Sequence, residues 1–101
     1  RLGRYDPADN AFREWVMPAG ADARPYGTAM DDDGTVWFVE TGVAPNMFRG
    51  FDPETQEFIA ATPVPSGGGT VRHMHYHAPT QTVWFGADTN TVGRALVGEV
   101  E

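Results

Sequence analysis

Apolar and polar residues alternate along most of this chain in short runs, and each run is closed by residues that favour turns. Leu2 to Tyr5 stops at Asp6-Pro7, Ala8-Asp9-Asn10 turns, and Phe12 to Val16 leads into a loop from Pro18 to Pro25. Tyr26 to Met30, Thr35 to Glu40, Met47 to Phe51, Glu57 to Thr62, Val71 to His77, Thr82 to Gly86 and Thr91 to Leu96 continue the series. Asp31 to Gly34 reads as a hairpin turn, since Asp bonds its own backbone there and Gly tolerates a left-handed position. No stretch carries a helical period. The pattern predicts an all-β chain of nine strands.

Two stretches repeat. Gly34-Thr35-Val36-Trp37-Phe38 returns as Gln81-Thr82-Val83-Trp84-Phe85, and Tyr5-Asp6-Pro7 returns as Phe51-Asp52-Pro53. Trp37 and Trp84 lie 47 residues apart, Tyr5 and Phe51 46 apart. A period of that length among short strands is the signature of a β-propeller blade. With the strands of a four-stranded blade named A to D from the axis outward, the chain runs C, D, then A to D, then A, B, C. It is expected to cover about two and a quarter blades. Residues 1–18 would end one blade, 24–63 would form a complete one, and 70–96 would begin the last. Closure is what removes exposed edges, so the chain is expected to be part of a longer parent, whose ring would have about six or seven blades, the alternative being that copies of the chain assemble around an axis. The last blade is expected to take its outer strand from the opposite terminus of that parent.

Composition narrows the function classes. Hydrophobic residues make up 41%, enough for a packed core, and the 12 Gly and 8 Pro suit many tight turns. No run approaches the ~20 apolar residues that span a bilayer, so no membrane partner is expected. The net charge of −7 repels phosphate backbones, so no nucleic-acid partner is expected either. Zero Cys removes disulfides and thiolate zinc sites and fits a cytoplasmic, periplasmic or secreted setting equally.

The repeat wording is Arg24-Pro25-Tyr26-Gly27, Asp33-Gly34-Thr35-Val36-Trp37-Phe38-Val39-Glu40 and Arg49-Gly50-Phe51-Asp52-Pro53. It resembles the virginiamycin B lyase (streptogramin lyase) family over Leu2 to about Ala95. That resemblance implies a seven-bladed propeller that opens streptogramin B antibiotics by elimination at the ester, a role in antibiotic resistance. It also implies magnesium and a histidine base. On this chain the family's base falls on His73 and one metal-binding acid on Asp88. The other acid's place holds Val71, Arg72 stands where the family has Pro, and Tyr26 replaces a substrate-contacting His. Glu40, which also follows a Trp-Phe pair, is the candidate second carboxylate for Mg²⁺.

Each candidate has a plainer reading. His73, His75 and His77 share one face of an extended strand, ~6.5–7 Å between neighbours. Two imidazoles at that spacing can meet on a metal; otherwise the rings bond to backbone or water. His73 as a base suits removal of a weakly acidic Cα proton. Glu40 and Asp88 either hold a cation or end their strands in solvent. Arg72 either clamps an anionic ligand or pairs with Asp88 or Glu40, filling the space a metal would take. Ser66-Gly67-Gly68-Gly69-Thr70 precedes a strand rather than a helix, so it reads as a crossing between blades and not a phosphate cradle. The Trp-Phe pairs read as packing between blades.

The functional expectation is therefore Mg²⁺-assisted β-elimination on a cyclic depsipeptide. His73 would be the base, Asp88 and Glu40 the metal ligands, and Tyr26, Arg72 and His75 would contact a small-molecule or peptide ligand at the propeller funnel. The alternatives are a non-catalytic binding propeller and a structural repeat of a larger, possibly secreted protein.

Overall fold

The computed structural model describes residues 1–98. It contains nine strands, each ending within a residue of its expected bounds. They are β1 (Leu2–Asp6), β2 (Ala11–Trp15), β3 (Pro25–Met30), β4 (Val36–Glu40), β5 (Met47–Asp52), β6 (Glu57–Pro63), β7 (Val71–His77), β8 (Thr82–Ala87) and β9 (Thr91–Leu96). Two short 3-10 turns, Gly20–Asp22 and Ala78–Thr80, interrupt the connections. The strands form three antiparallel sheets in chain order: β1-β2, β3-β4-β5-β6 and β7-β8-β9.

Local chemistry closes the hairpins. Asp6 Oδ1 accepts the Ala8 N–H at 2.9 Å, and Asp52 Oδ1 accepts the Glu54 N–H at 2.9 Å, the same turn in both repeats. Asp31 Oδ1 accepts from the Asp33 and Thr35 amides at 2.9 and 3.0 Å, while its Oδ2 accepts the Trp37 indole N–H at 2.9 Å. One carboxylate thus fixes both the turn and the first aromatic of β4.

The second sheet lies between the other two. Trp37 and Val39 of β4 pack with Phe48, Val71, Val83 and Phe85, filling the space against the third sheet. Phe38 points the other way and joins Met17, Ala23 and Phe51, with Leu2 and Trp15 of the first sheet against them. A strand covered on both faces needs apolar residues at consecutive positions, and Val36 to Val39 supply them. In β8 only one face is covered: Val83 and Phe85 are buried, whereas Trp84 between them is exposed.

The second and third sheets approach most closely along their first strands, β3 and β7. A Cβ on Gly27 would strike the Arg72 carbonyl, so glycine is what permits the approach. Both strands also break register near their starts, between Pro25 and Thr28 and between Val71 and Met74. Such irregularities re-aim side chains. Here they fall where Tyr26, Arg72 and His73 sit.

Candidate functional site

The start of β7, the end of β8 and the start of β9 meet at one end of the third sheet because the strands are antiparallel. They enclose a cleft of about 390 Å³ lined by Thr70, Arg72, His73, Asp88 and Asn90 among others. Within it Arg72 donates from Nη1 to Asp88 Oδ1 at 2.5 Å. Both side chains are about half exposed, so water screens the pair. The hydrogen bond and the charge of Asp88 hold the Arg72 guanidinium above its ordinary pKa. The guanidinium has five N–H donors, so most remain for another acceptor.

His73 is open to the same cleft, and the Tyr26 ring meets it edge-on from β3, centroids 5.7 Å apart at 86°. The close pass of Gly27 by Arg72 brings the two rings together. Thus Arg72, His73, Asp88 and Tyr26, chosen from sequence, do assemble at one place. The sequence reading that paired Arg72 with Asp88 matches the ion pair.

The other candidates lie elsewhere. His75 stands opposite Trp84 on the outward face of the third sheet, beside a shallower groove of about 280 Å³. His77 is engaged locally, its Nδ1 2.8 Å from Thr80 Oγ1. Glu40 neither opens to a mouth nor ends in solvent. It is fully buried, with Oε1 taking the Arg49 Nε–H and Oε2 the Ala19 N–H at 2.8 Å.

These placements bear on a divalent cation. Magnesium demands near-octahedral oxygen coordination. Asp88 and Glu40 are each already neutralised by an arginine, and among the described residues no three His, Cys, Asp or Glu side chains gather around one point. The residues present do not fit a magnesium site, because guanidinium groups occupy the places its charge would take.

Two polar features escaped the sequence reading. Arg49 is the first; its signal was a basic residue amid apolar neighbours, on the strand beside Glu40 and on the same face. Asn46 is the second. Buried, it donates from Nδ2 to the carbonyls of Val43 and Gly69 at 3.0 Å each. Its recurrence as Asn90 before the next third strand was the available signal. Gly67, Gly68 and Gly69 all adopt left-handed backbone. Their carbonyls accept from the Asn46 amide, the Asp88 amide and Asn46 Nδ2 respectively. A run whose carbonyls accept from Asn46 and Asp88 joins the second and third sheets. Comparison with known proteins finds no family model that matches this chain, and no curated protein matches it.

Proposed function

We propose that the chain is a section of a β-propeller whose work is to hold a small anionic ligand, a carboxylate or phosphate, in the cleft at Arg72. Three features support the propeller reading: sheets in simple meander order, stacking face to face, and first strands that draw together where an axis would lie. The observation that carries the ligand reading is the Arg72–Asp88 pair standing half exposed in the cleft beside His73. Asp88 occupies the guanidinium in the free protein and yields to a ligand anion, which gains bidentate bonds. His73 and the flanking Tyr26 then contact the remainder of the ligand. The test is a titration of the chain with inorganic phosphate and with benzoate, followed by amide and imidazole chemical shifts. Saturable shifts at Arg72 and His73 that vanish in Arg72→Gln are expected; shifts that persist in that variant would refute the reading.

A second reading, ring opening of a cyclic depsipeptide, is favoured by one observation: the His73 side chain is exposed in the cleft. In that reaction the imidazole takes the Cα proton, the electron pair forms the new double bond, and the Cβ–O bond breaks to release a carboxylate. Arg72 receives that carboxylate. Elimination leaves the mass of the product equal to that of the substrate, whereas hydrolysis adds one water. Incubation with a streptogramin B depsipeptide and mass spectrometry distinguishes the two outcomes, and unchanged substrate rejects both.

A further inference from the structure

The turn between β8 and β9 brings a second set of polar groups to the Arg72 cleft, and they suit a neutral hydroxyl better than an anion. Asn90 and Thr91 line the cleft together with Arg72, His73 and Asp88. Thr91 Oγ1 lies 3.1 Å from Ser66 Oγ and 3.0 Å from Thr89 Oγ1. Thr89 Oγ1 in turn lies 3.0 Å from Ser66 Oγ, so three hydroxyls close a triangle between the turn and the crossing from β6. Three hydroxyls carry three protons, and the three contacts consume them. The triangle therefore keeps lone pairs to offer and spends its donors internally. It also fixes the turn, so Thr91 and its neighbour Asn90 are positioned before any ligand arrives.

Donors and acceptors are thus unevenly placed. Arg72 concentrates N–H donors at one point, and around it stand the Asp88 carboxylate, the Thr91 oxygen and the Asn90 side-chain carbonyl as acceptors. A simple anion that takes Arg72 from Asp88 leaves that carboxylate without its partner and beside a second negative charge. A ligand with a hydroxyl near its own carboxylate repairs both halves of the pair. Its carboxylate takes the guanidinium, and its hydroxyl donates to Asp88. Further hydroxyls then donate to Thr91 and Asn90. We propose that the ligand of this cleft is a polyhydroxy carboxylate, a sugar acid, and that Asp88, Asn90 and Thr91 select it over other anions. A cleft of about 390 Å³ has room for one such ring. The inference rests on the anion reading of the cleft and narrows it to one ligand class.

The test is a titration of the chain with D-glucuronate and with cyclohexanecarboxylate at constant ionic strength, followed by the Arg72 and His73 chemical shifts. The second acid matches the first in ring size and charge and has no hydroxyl. Glucuronate is expected to bind roughly tenfold or more tightly, the effect of about two hydrogen bonds at their usual net worth. Thr91→Val is expected to narrow that ratio. So is Asn90→Gly, which keeps the left-handed backbone that Asn90 adopts. Asp88→Asn is expected to tighten both acids, the cyclohexane acid more, so the ratio narrows there too. Equal affinities for the two acids, with saturable shifts at Arg72, would overturn the inference and leave the anion reading standing. A ratio undiminished in all three variants would overturn it as well. If both acids and phosphate leave Arg72 unshifted, the anion reading and this inference fail together.

Discussion

The fully buried Glu40 carboxylate accepts from Arg49 on the neighbouring strand, while its other oxygen takes the Ala19 N–H at 2.8 Å. The pair therefore ties the connection between the first two sheets to the face of the second. In the third sheet the equivalent positions hold Ala87, in place of the acid, and Gly93, opposite Phe85 as Arg49 is opposite Phe38. Acid and base are lost together. That is the outcome expected when either alone would leave an unpaired charge inside.

Removing one partner should accordingly cost far more than removing both. Glu40→Ala leaves the Arg49 guanidinium uncompensated and is expected to lower unfolding free energy by about 3–5 kcal/mol. Glu40→Ala with Arg49→Leu is expected to recover most of that loss. Urea unfolding of the two single variants and the double variant gives the coupling directly; additive losses would show that the pair has no mutual role.

Gly20 and Gly68 separate backbone strain from crowding. Both have φ of +82°, but a Cβ at Gly20 meets nothing within 4 Å, while at Gly68 it falls 2.7 Å from Asn46 Oδ1. Gly20→Ala is expected to cost about 1–2 kcal/mol, the penalty of a left-handed L-residue. Gly68→Ala should cost about 1–3 kcal/mol more, because the clamp between the sheets must shift. Thermal unfolding of both variants checks the order; equal losses would mean that Asn46 yields freely.

Much of the strand pattern was legible because alternation and turn chemistry agree at the β1–β2, β3–β4 and β5–β6 hairpins. Asp6, Asp31 and Asp52 each bond a nearby amide, so the turn signals were local. The cleft was partly legible, since Arg72 and His73 are adjacent and Asp88 follows the next strand. Glu40 was misjudged for a nonlocal reason. Its burial depends on Arg49 across β4 and β5 and on Ala19 in a distant loop, and no spacing along β4 encodes either partner. Likewise Trp37 and Trp84 read alike in sequence, but only the former has a sheet stacked upon it.

Tyr76 gives an alkaline signature. Desolvation, and then the charge of nearby Asp32, whose Oδ2 accepts the Tyr76 hydroxyl at 3.2 Å, raise its pKa above the ordinary tyrosine value. The folded state thus favours the neutral phenol, whereas the unfolded chain ionises from about pH 10. Its contribution is fully present below that value and is lost as pH rises through the folded pKa. Urea midpoints should fall between pH 9 and 11 by about the same path for wild type and Tyr76-retaining variants, and less steeply for Tyr76→Phe. A slope unaffected by that substitution would assign the alkaline loss to other groups.

Asp88 is the gate on the proposed anion site, and its removal should act oppositely on binding and on stability. The pair is half exposed, so Asp88→Asn is expected to change stability by under about 1 kcal/mol. The same change frees the Arg72 guanidinium from its carboxylate and removes a negative charge from the cleft. Phosphate affinity should therefore rise several-fold, whereas Arg72→Gln abolishes it. Isothermal titration at two ionic strengths measures both, and the gain should shrink at high salt because the interaction is screened there. An Asp88→Asn variant that binds phosphate no better than wild type would mean that Asp88 does not compete for the guanidinium, and that the pair serves only to join β7 to the end of β8.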